Sequence, residues 1–362
     1  MVLQNISSNL IKTVNNVCIR QNEWNNSKCV QRLYMALPRL TPQEVTAVLQ
    51  ANEYTKEFNG QSSVKYYDSN QLASNSPIED TRSEAQCLFT KGKSSTARTL
   101  AVAMSGAVAA VAHIDGPHLH VAGVGDCQAV LGVLSENDGW SAKLMTVEHN
   151  TDNRAEVERI LAEHPSNEKS TVIKMERLLG QLAPLRSLGD FRYKWKKEVL
   201  KEVVVPYFGE AAIPPNYHTP PYLTAKPEVK YHRLTPRDKF LIIASDGLWD
   251  LMSPLQAVRL VGEHMSGKVT LNPLRLPRKN MKLSEINKML LQRKEGLKKK
   301  PHDSNAATHL LRNALGGTEY GIDHVKLSQL LTLPREVVRI FRDDITITVV
   351  YMDSEFLRHC PP

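Results

Sequence analysis

Residues 345–350 of this chain read Ile-Thr-Ile-Thr-Val-Val, a run of β-branched side chains without interruption. Branching at Cβ stiffens χ1 and crowds a helix but suits a pleated strand, so DDITITVVYMD (343–353) is predicted as a strand. A second apolar run, Phe240 to Ala244 in KFLIIASDGLWDLM (239–252), has the same character and ends in Asp246 and Gly247. HLHVAGVGDCQAVLGVL (118–134) reads as strand, turn and strand, with the turn near Gly125 and Asp126.

Helices are predicted between these strands. TPQEVTAVLQANEY (41–54) opens with Thr41, Pro42 and Glu44, the residues of an N-cap, a first turn and a capping box. In TDNRAEVERILAEHP (151–165), Val157, Ile160, Leu161 and His164 share a face, and Pro165 ends the helix. Ser253 caps SPLQAVRLVGEHM (253–265), with Leu255, Val258 and Val261 as its stripe, and DSNAATHLLRNALGG (303–317) stops on glycine. TLAVAMSGAVAAVAHI (99–114) reads as two short strands or a strand and turn, and is too short to cross a membrane. Strands and helices intermingle with neither a repeat nor a regular βαβ rhythm, which points to a single mixed α+β domain.

Charge is localised. Of the net +8, residues 266–301 supply the excess, with eleven Lys/Arg against two Glu, leaving the remainder near neutrality. No aromatic residue interleaves that segment, so no nucleic-acid partner is expected, and its KKKP end reads as a solvated loop. The five cysteines, Cys18, Cys29, Cys87, Cys127 and Cys360, lack metal or disulfide spacing and suit a reducing compartment. At the N-terminus, Lys12, Arg20, Lys28 and Arg32 face a single acid, Glu23. Leu10, Val14, Val17 and Cys18 can share one helical face there. That combination suits a mitochondrial presequence, with a plain polar start as the alternative. The implied division is 1–40 leader and linker, 41–355 domain with a basic insert at 266–301, and 356–362 tail.

The chemistry lies at the strand ends. Asp126, Asp246 and the Asp343-Asp344 pair each adjoin a strand, and Glu79-Asp80 lies in NSPIEDTRS. Where such ends converge, carboxylates stand roughly 4 Å apart, and each pair costs about 4 kcal/mol at an effective dielectric of ~20. Protonation or a polyvalent cation relieves that cost, and oxygen-only donors favour Mg²⁺ or Mn²⁺ over zinc. Singly, an Asp-Gly after a strand is more often a turn than a ligand.

In order, IED (78–80), SGAVAAVAHIDG (105–116), HVAGVGDCQAVLGV (120–133), LRSLGDFRYK (185–194), IIASDGLWD (242–250) and RDDITITVV (342–350) resemble the metal-dependent Ser/Thr protein phosphatases of the PPM type. YYDSNQLASNSPIED (66–80) and IPPNYHTPPYLTAKPEV (213–229) are similar to the pyruvate dehydrogenase phosphatase branch of that family. The resemblance implies a β-sandwich of two antiparallel sheets flanked by helices, with two Mg²⁺ or Mn²⁺ ions at one end. It implies Asp246 and Asp343 as ligands of one metal, Glu79 and Asp80 as supports of the pair, and Asp126 at a weaker additional position. Asn75 stands where many relatives grip phosphate with arginine. A metal-activated water is the implied nucleophile, and phosphoserine on the pyruvate dehydrogenase complex is the implied substrate. The mitochondrial matrix is the implied compartment, and a lipoyl-bearing core and a regulatory subunit are implied partners.

One departure is large. The family's Asp-Gly-His strand end, which supplies a metal-bridging aspartate and a general-acid histidine, is absent; AQCLFTKG (85–92) passes straight to KSSTARTLAVAMSGAV (93–108). Part of the N-terminal helical layer is missing with it, which leaves one sheet face apolar and uncovered. Three readings stay open from sequence: an active phosphatase, a non-catalytic binding protein of the same fold, and a shortened form of a longer enzyme.

Overall fold

The computed structural model describes residues 39–58, 62–75, 78, 80, 96–137, 139–274 and 282–360. Helix α1 (Pro42–Gln50) starts as its sequence requires: Thr41 Oγ1 accepts from Glu44 N at 3.3 Å and Glu44 Oε2 accepts from Thr41 N at 2.7 Å. Strands β1 (Tyr54–Glu57) and β2 (Val64–Leu72) follow, then helix α2 (Thr96–Met104). That helix corrects the expectation of a strand at 99–104. A short apolar run is ambiguous between the two periods, and Ala97, Ala101 and Ala103 tip this one toward helix.

Beyond α2 come β3 (Gly106–Ala107), β4 (Ala109–Asp115), β5 (His118–Val124), β6 (Gln128–Leu134) and β7 (Trp140–Leu144). Gly125 turns the chain between β5 and β6 with φ +92°, and a Cβ there would meet Val108. Helix α3 (Arg154–Glu163), capped by Asn153, opens a region that includes β8 (Ile173–Lys174), β9 (Arg177–Leu178) and β10 (Leu188–Gly189). This region has a core of its own around Ile160, Leu178, Leu185, Tyr217 and Tyr222.

The chain re-enters the sheets with β11 (Glu228–Arg233) and β12 (Asp238–Ala244), and continues through α4 (Pro254–Met265), α5 (Leu283–Leu297), α6 (Ala306–Gly316), α7 (His324–Leu331) and α8 (Arg335–Phe341). Strand β13 (Ile345–Met352) and helix α9 (Ser354–His359) finish the described chain. Residues 356–362, set apart above as a tail, begin inside α9, whose Leu357 is buried. On α4, Val258 and Val261 are buried as expected, but Leu255 points outward and is 39% exposed; Ala257 and Leu260 take its place. The basic segment contains α5, docked by Arg293 Nη1 donating to Asn272 O at 2.6 Å and Glu319 O at 2.8 Å.

Two antiparallel sheets face each other, in the orders β1-β2-β13-β12-β6-β7 and β11-β5-β4. Period-two alternation splits the larger sheet cleanly. Phe240, Ile242, Ile347 and Val349 face α1, α4 and α6, while Leu131, Leu241 and Met352 face Leu119 and Val121 of the smaller sheet. Burial on both faces explains why β12 is apolar without interruption. The outer face of the smaller sheet is uncovered among the described residues. Registered across it are Val229, Ala122 and Val111, then Tyr231, His120 and His113. Val111, Val229 and Tyr231 are 60%, 57% and 54% exposed, as the missing helical layer leads one to expect.

Candidate metal centre

Strand register assembles the site. Strand β12 runs antiparallel to both neighbours, with Ala244 opposite Ile347 of β13 and opposite Gln128 of β6. Its C-terminal end therefore lies beside the starts of β13 and β6. Strand β2 is antiparallel to β13, with Leu72 opposite Ile345, so its C-terminal end lies there too. Asp80, Asp343, Asp246 and Asp126 thus come from four adjacent strands at one edge of the sheet, and all four line one cavity of about 1910 Å³.

Local hydrogen bonds fix this edge. Ser245 Oγ donates to Asp80 Oδ2 at 2.7 Å and accepts from Thr346 N at 3.0 Å, tying three segments together. Asp246 opens a single helical turn, closed by Asp250 N donating to Asp246 O at 2.8 Å and by Trp249 Nε1 donating to Ala244 O at 3.0 Å. The glycine after Asp246 is required by crowding: a Cβ on Gly247 would stand 2.1 Å from Asp344 O. Asp343 Oδ1 accepts from Asp344 N at 2.8 Å and lies 3.6 Å from Arg339 Nη1.

The acids repel one another. Burial, then Asp126, Asp343 and Asp250, push the Asp246 carboxyl up to about 7. Burial raises Asp126 as well, with Asp250 and Asp343 adding to it, and burial and Asp343 raise Asp250. Glu148, also on the cavity wall, is raised chiefly by burial. Asp250 and Glu148 were not among the sequence candidates. The spacing of DGLWD held the signal for Asp250, because residues four apart on a helical turn share a side.

These groups suit a hard divalent cation in chemistry: carboxylate oxygens, mostly half-buried, mutually repelling negative charge, and no histidine among the described residues on the wall. They do not form a ready cage. Among the described residues no three acids, histidines or cysteines draw close enough to make a ligand set. The sequence explains this in part, since the motif that would bring a further bridging aspartate does not occur. Glu79 lies outside the described residues. Asn75 is described, and its backbone N–H and Nδ2 donate to Asp344 at 2.9 and 3.0 Å. Cys127 also lines the cavity, and burial, then Asp126, Asp246 and Asp80, push its thiol up to about 12.

Comparison with known proteins identifies the family. The family profile for Protein phosphatase 2C matches residues 45–291. A mitochondrial protein from Rattus norvegicus, [Pyruvate dehydrogenase [acetyl-transferring]]-phosphatase 1, is 34% identical over 471 positions, covering 92% of this chain and 87% of the rat protein. Because this chain has 362 residues, more than a hundred positions of the rat protein face a gap in that alignment. The human mitochondrial [Pyruvate dehydrogenase [acetyl-transferring]]-phosphatase 2 is 48% identical over 265 positions, 71% of this chain and 50% of the human one. Among solved structures, a serine-threonine phosphatase 2C from Toxoplasma gondii aligns with a TM-score of 0.36 and 20% identity, over 71% of this chain and 61% of that one. The chain belongs to the protein phosphatase 2C family.

Proposed function

We propose that this chain is a metal-dependent protein serine/threonine phosphatase that releases phosphate from phosphoserine on the pyruvate dehydrogenase complex in the mitochondrial matrix. The observation that carries this reading is the convergence of acids from four adjacent strands on one cavity. The relatives' names supply the substrate and the organelle. The lipoyl-bearing core of the complex and a regulatory subunit are the partners to which the reading extends.

Mg²⁺ or Mn²⁺, when bound, supplies charge neutralisation for the phosphoryl group and acidity for water. In this reading Asp246 and Asp343 hold a first ion, Glu79 and Asp80 support the pair, and Asp126 with Asp250 serves a further position. Ser245 orients Asp80 through its hydrogen bond. During hydrolysis the bond from phosphorus to the serine oxygen breaks, a water oxygen takes its place on phosphorus, and the serine oxygen gains a proton. Water in the open cavity delivers that proton, since no histidine among the described residues borders it.

Purified protein should release phosphate from a phosphoserine peptide in Mn²⁺, and Asp246→Asn should abolish the release. Absence of release from the unmodified chain sinks the enzyme reading. A second reading, phosphopeptide binding without turnover, is favoured by the lack of any three-ligand set among the described residues. It expects tight peptide binding with no phosphate released. The internal gap against the rat protein favours a shortened form, for which an endogenous protein of greater intact mass is the expected finding.

A further inference from the structure

The cavity poses an electrostatic problem that its acids alone cannot solve. Among the described residues its wall carries ten acids and two arginines, Arg177 and Arg339, so a doubly charged phosphoryl group meets a surface of its own sign. Arg177 sits on the β8–β9 hairpin, and its Nη1 donates to Gln181 O at 3.0 Å. Arg339 stands beside the acids, on α8, four residues before Asp343 and 3.6 Å from it.

The neighbouring arginine is placed differently. Arg342 is spent on the backbone, with Nη2 donating to Ala73 O at 2.7 Å and Nη1 to Leu72 O at 3.4 Å. That contact ties the start of β13 to the end of β2. Arg339 pairs with Asp343, and its side chain is 51% exposed at the cavity wall. A guanidinium carries five N–H donors in a planar fork, so contact with Asp343 and contact with phosphoryl oxygens are compatible. Asn75 is poorly placed for the same task while its donors go to Asp344.

We infer that Arg339 is the phosphoryl-binding side chain of this site, gripping the non-bridging oxygens of a phosphoserine ester. The inference rests on the phosphatase reading for its substrate, and its test separates the two. Wild type, Arg339→Ala, Arg339→Lys and Arg177→Ala are compared at saturating Mn²⁺ for kcat and KM on a phosphoserine peptide, for inhibition by inorganic phosphate, and for the Mn²⁺ half-saturation concentration.

Arg339→Ala is expected to raise KM and the phosphate inhibition constant by roughly 10- to 100-fold, as for loss of a charged hydrogen bond, and to leave Mn²⁺ half-saturation within about twofold. Arg339→Lys recovers part of the loss. A shift in Mn²⁺ half-saturation alone overturns the assignment, because it leaves Arg339 only orienting Asp343. So does a loss of phosphate inhibition in Arg177→Ala in place of Arg339→Ala. If the wild type shows no turnover, the phosphatase reading has failed by itself. Calorimetric binding of inorganic phosphate to the Mn²⁺-loaded protein then decides: weaker binding by Arg339→Ala supports the inference, and equal binding overturns it.

Discussion

Asp246 is in conflict with its surroundings. Its carboxyl is half-buried, faces three other aspartates, and has its ordinary acidity suppressed. Asp246→Asn removes the charge while keeping the shape, so two opposite effects are expected. Phosphate release should fall by roughly 100-fold or more, whereas the melting temperature of metal-free protein should rise by a few degrees, since the repulsion is gone. Calorimetry with and without Mn²⁺ reads the second effect; an unchanged metal-free melting point means the acids do not oppose one another as described. Much of this residue's role was legible in the sequence, because an apolar run ending in Asp-Gly demands a reason. The reason for Gly247 was not legible. It lies in the approach of Asp344 O, a residue nearly a hundred positions away. Asp250 was missed for a different cause: its partnership with Asp246 needs a helical turn that a four-residue stretch cannot announce.

Among the elements, α3 shows how a helix is fastened within the region that has its own core. Glu156 is buried on it, and burial would raise its carboxyl, but hydrogen bonds from Arg186 and Arg159 overcome this and hold it at about 2. A depressed acid contributes stability above its unfolded value of 4.5 and loses it as pH falls toward 2. Glu156→Gln is therefore expected to cost about 3 kcal/mol at pH 7. The gap from wild type should narrow between pH 4.5 and 2 when urea midpoints are compared; a gap of constant size rejects the ion-pair account. The amphipathic face of α3 was readable from Val157, Ile160 and Leu161. Its clamp was not, since Arg186 is thirty residues further on. The opposite failure occurred at α2, where TLAVAM offered too few residues to separate a strand from a helix.

At the scale of the whole molecule, strand and helix chemistry made only a mixed α+β domain legible; the sandwich was foreseeable through the resemblance to the PPM-type phosphatases. The face of β11-β5-β4 that is uncovered among the described residues was foreseeable from a motif that is not there. Exposed apolar rows of this kind promote association. Sedimentation velocity should show concentration-dependent self-association, reduced by Val111→Lys or Val229→Lys; monomers at every concentration would mean the row is too small to matter.

The edge of β4 carries a consequence of its own. Ala109, Ala110, Val111 and Ala112 border the cavity in succession, so the strand presents its rim there and not one of its faces. Among the described residues its partner is β5 alone. In deuterated buffer, alternate amides of this strand should therefore exchange quickly while those between them are slow, a two-residue rhythm in a mass or NMR readout. Anything that lays a further extended segment along that rim would slow the quick set and erase the rhythm.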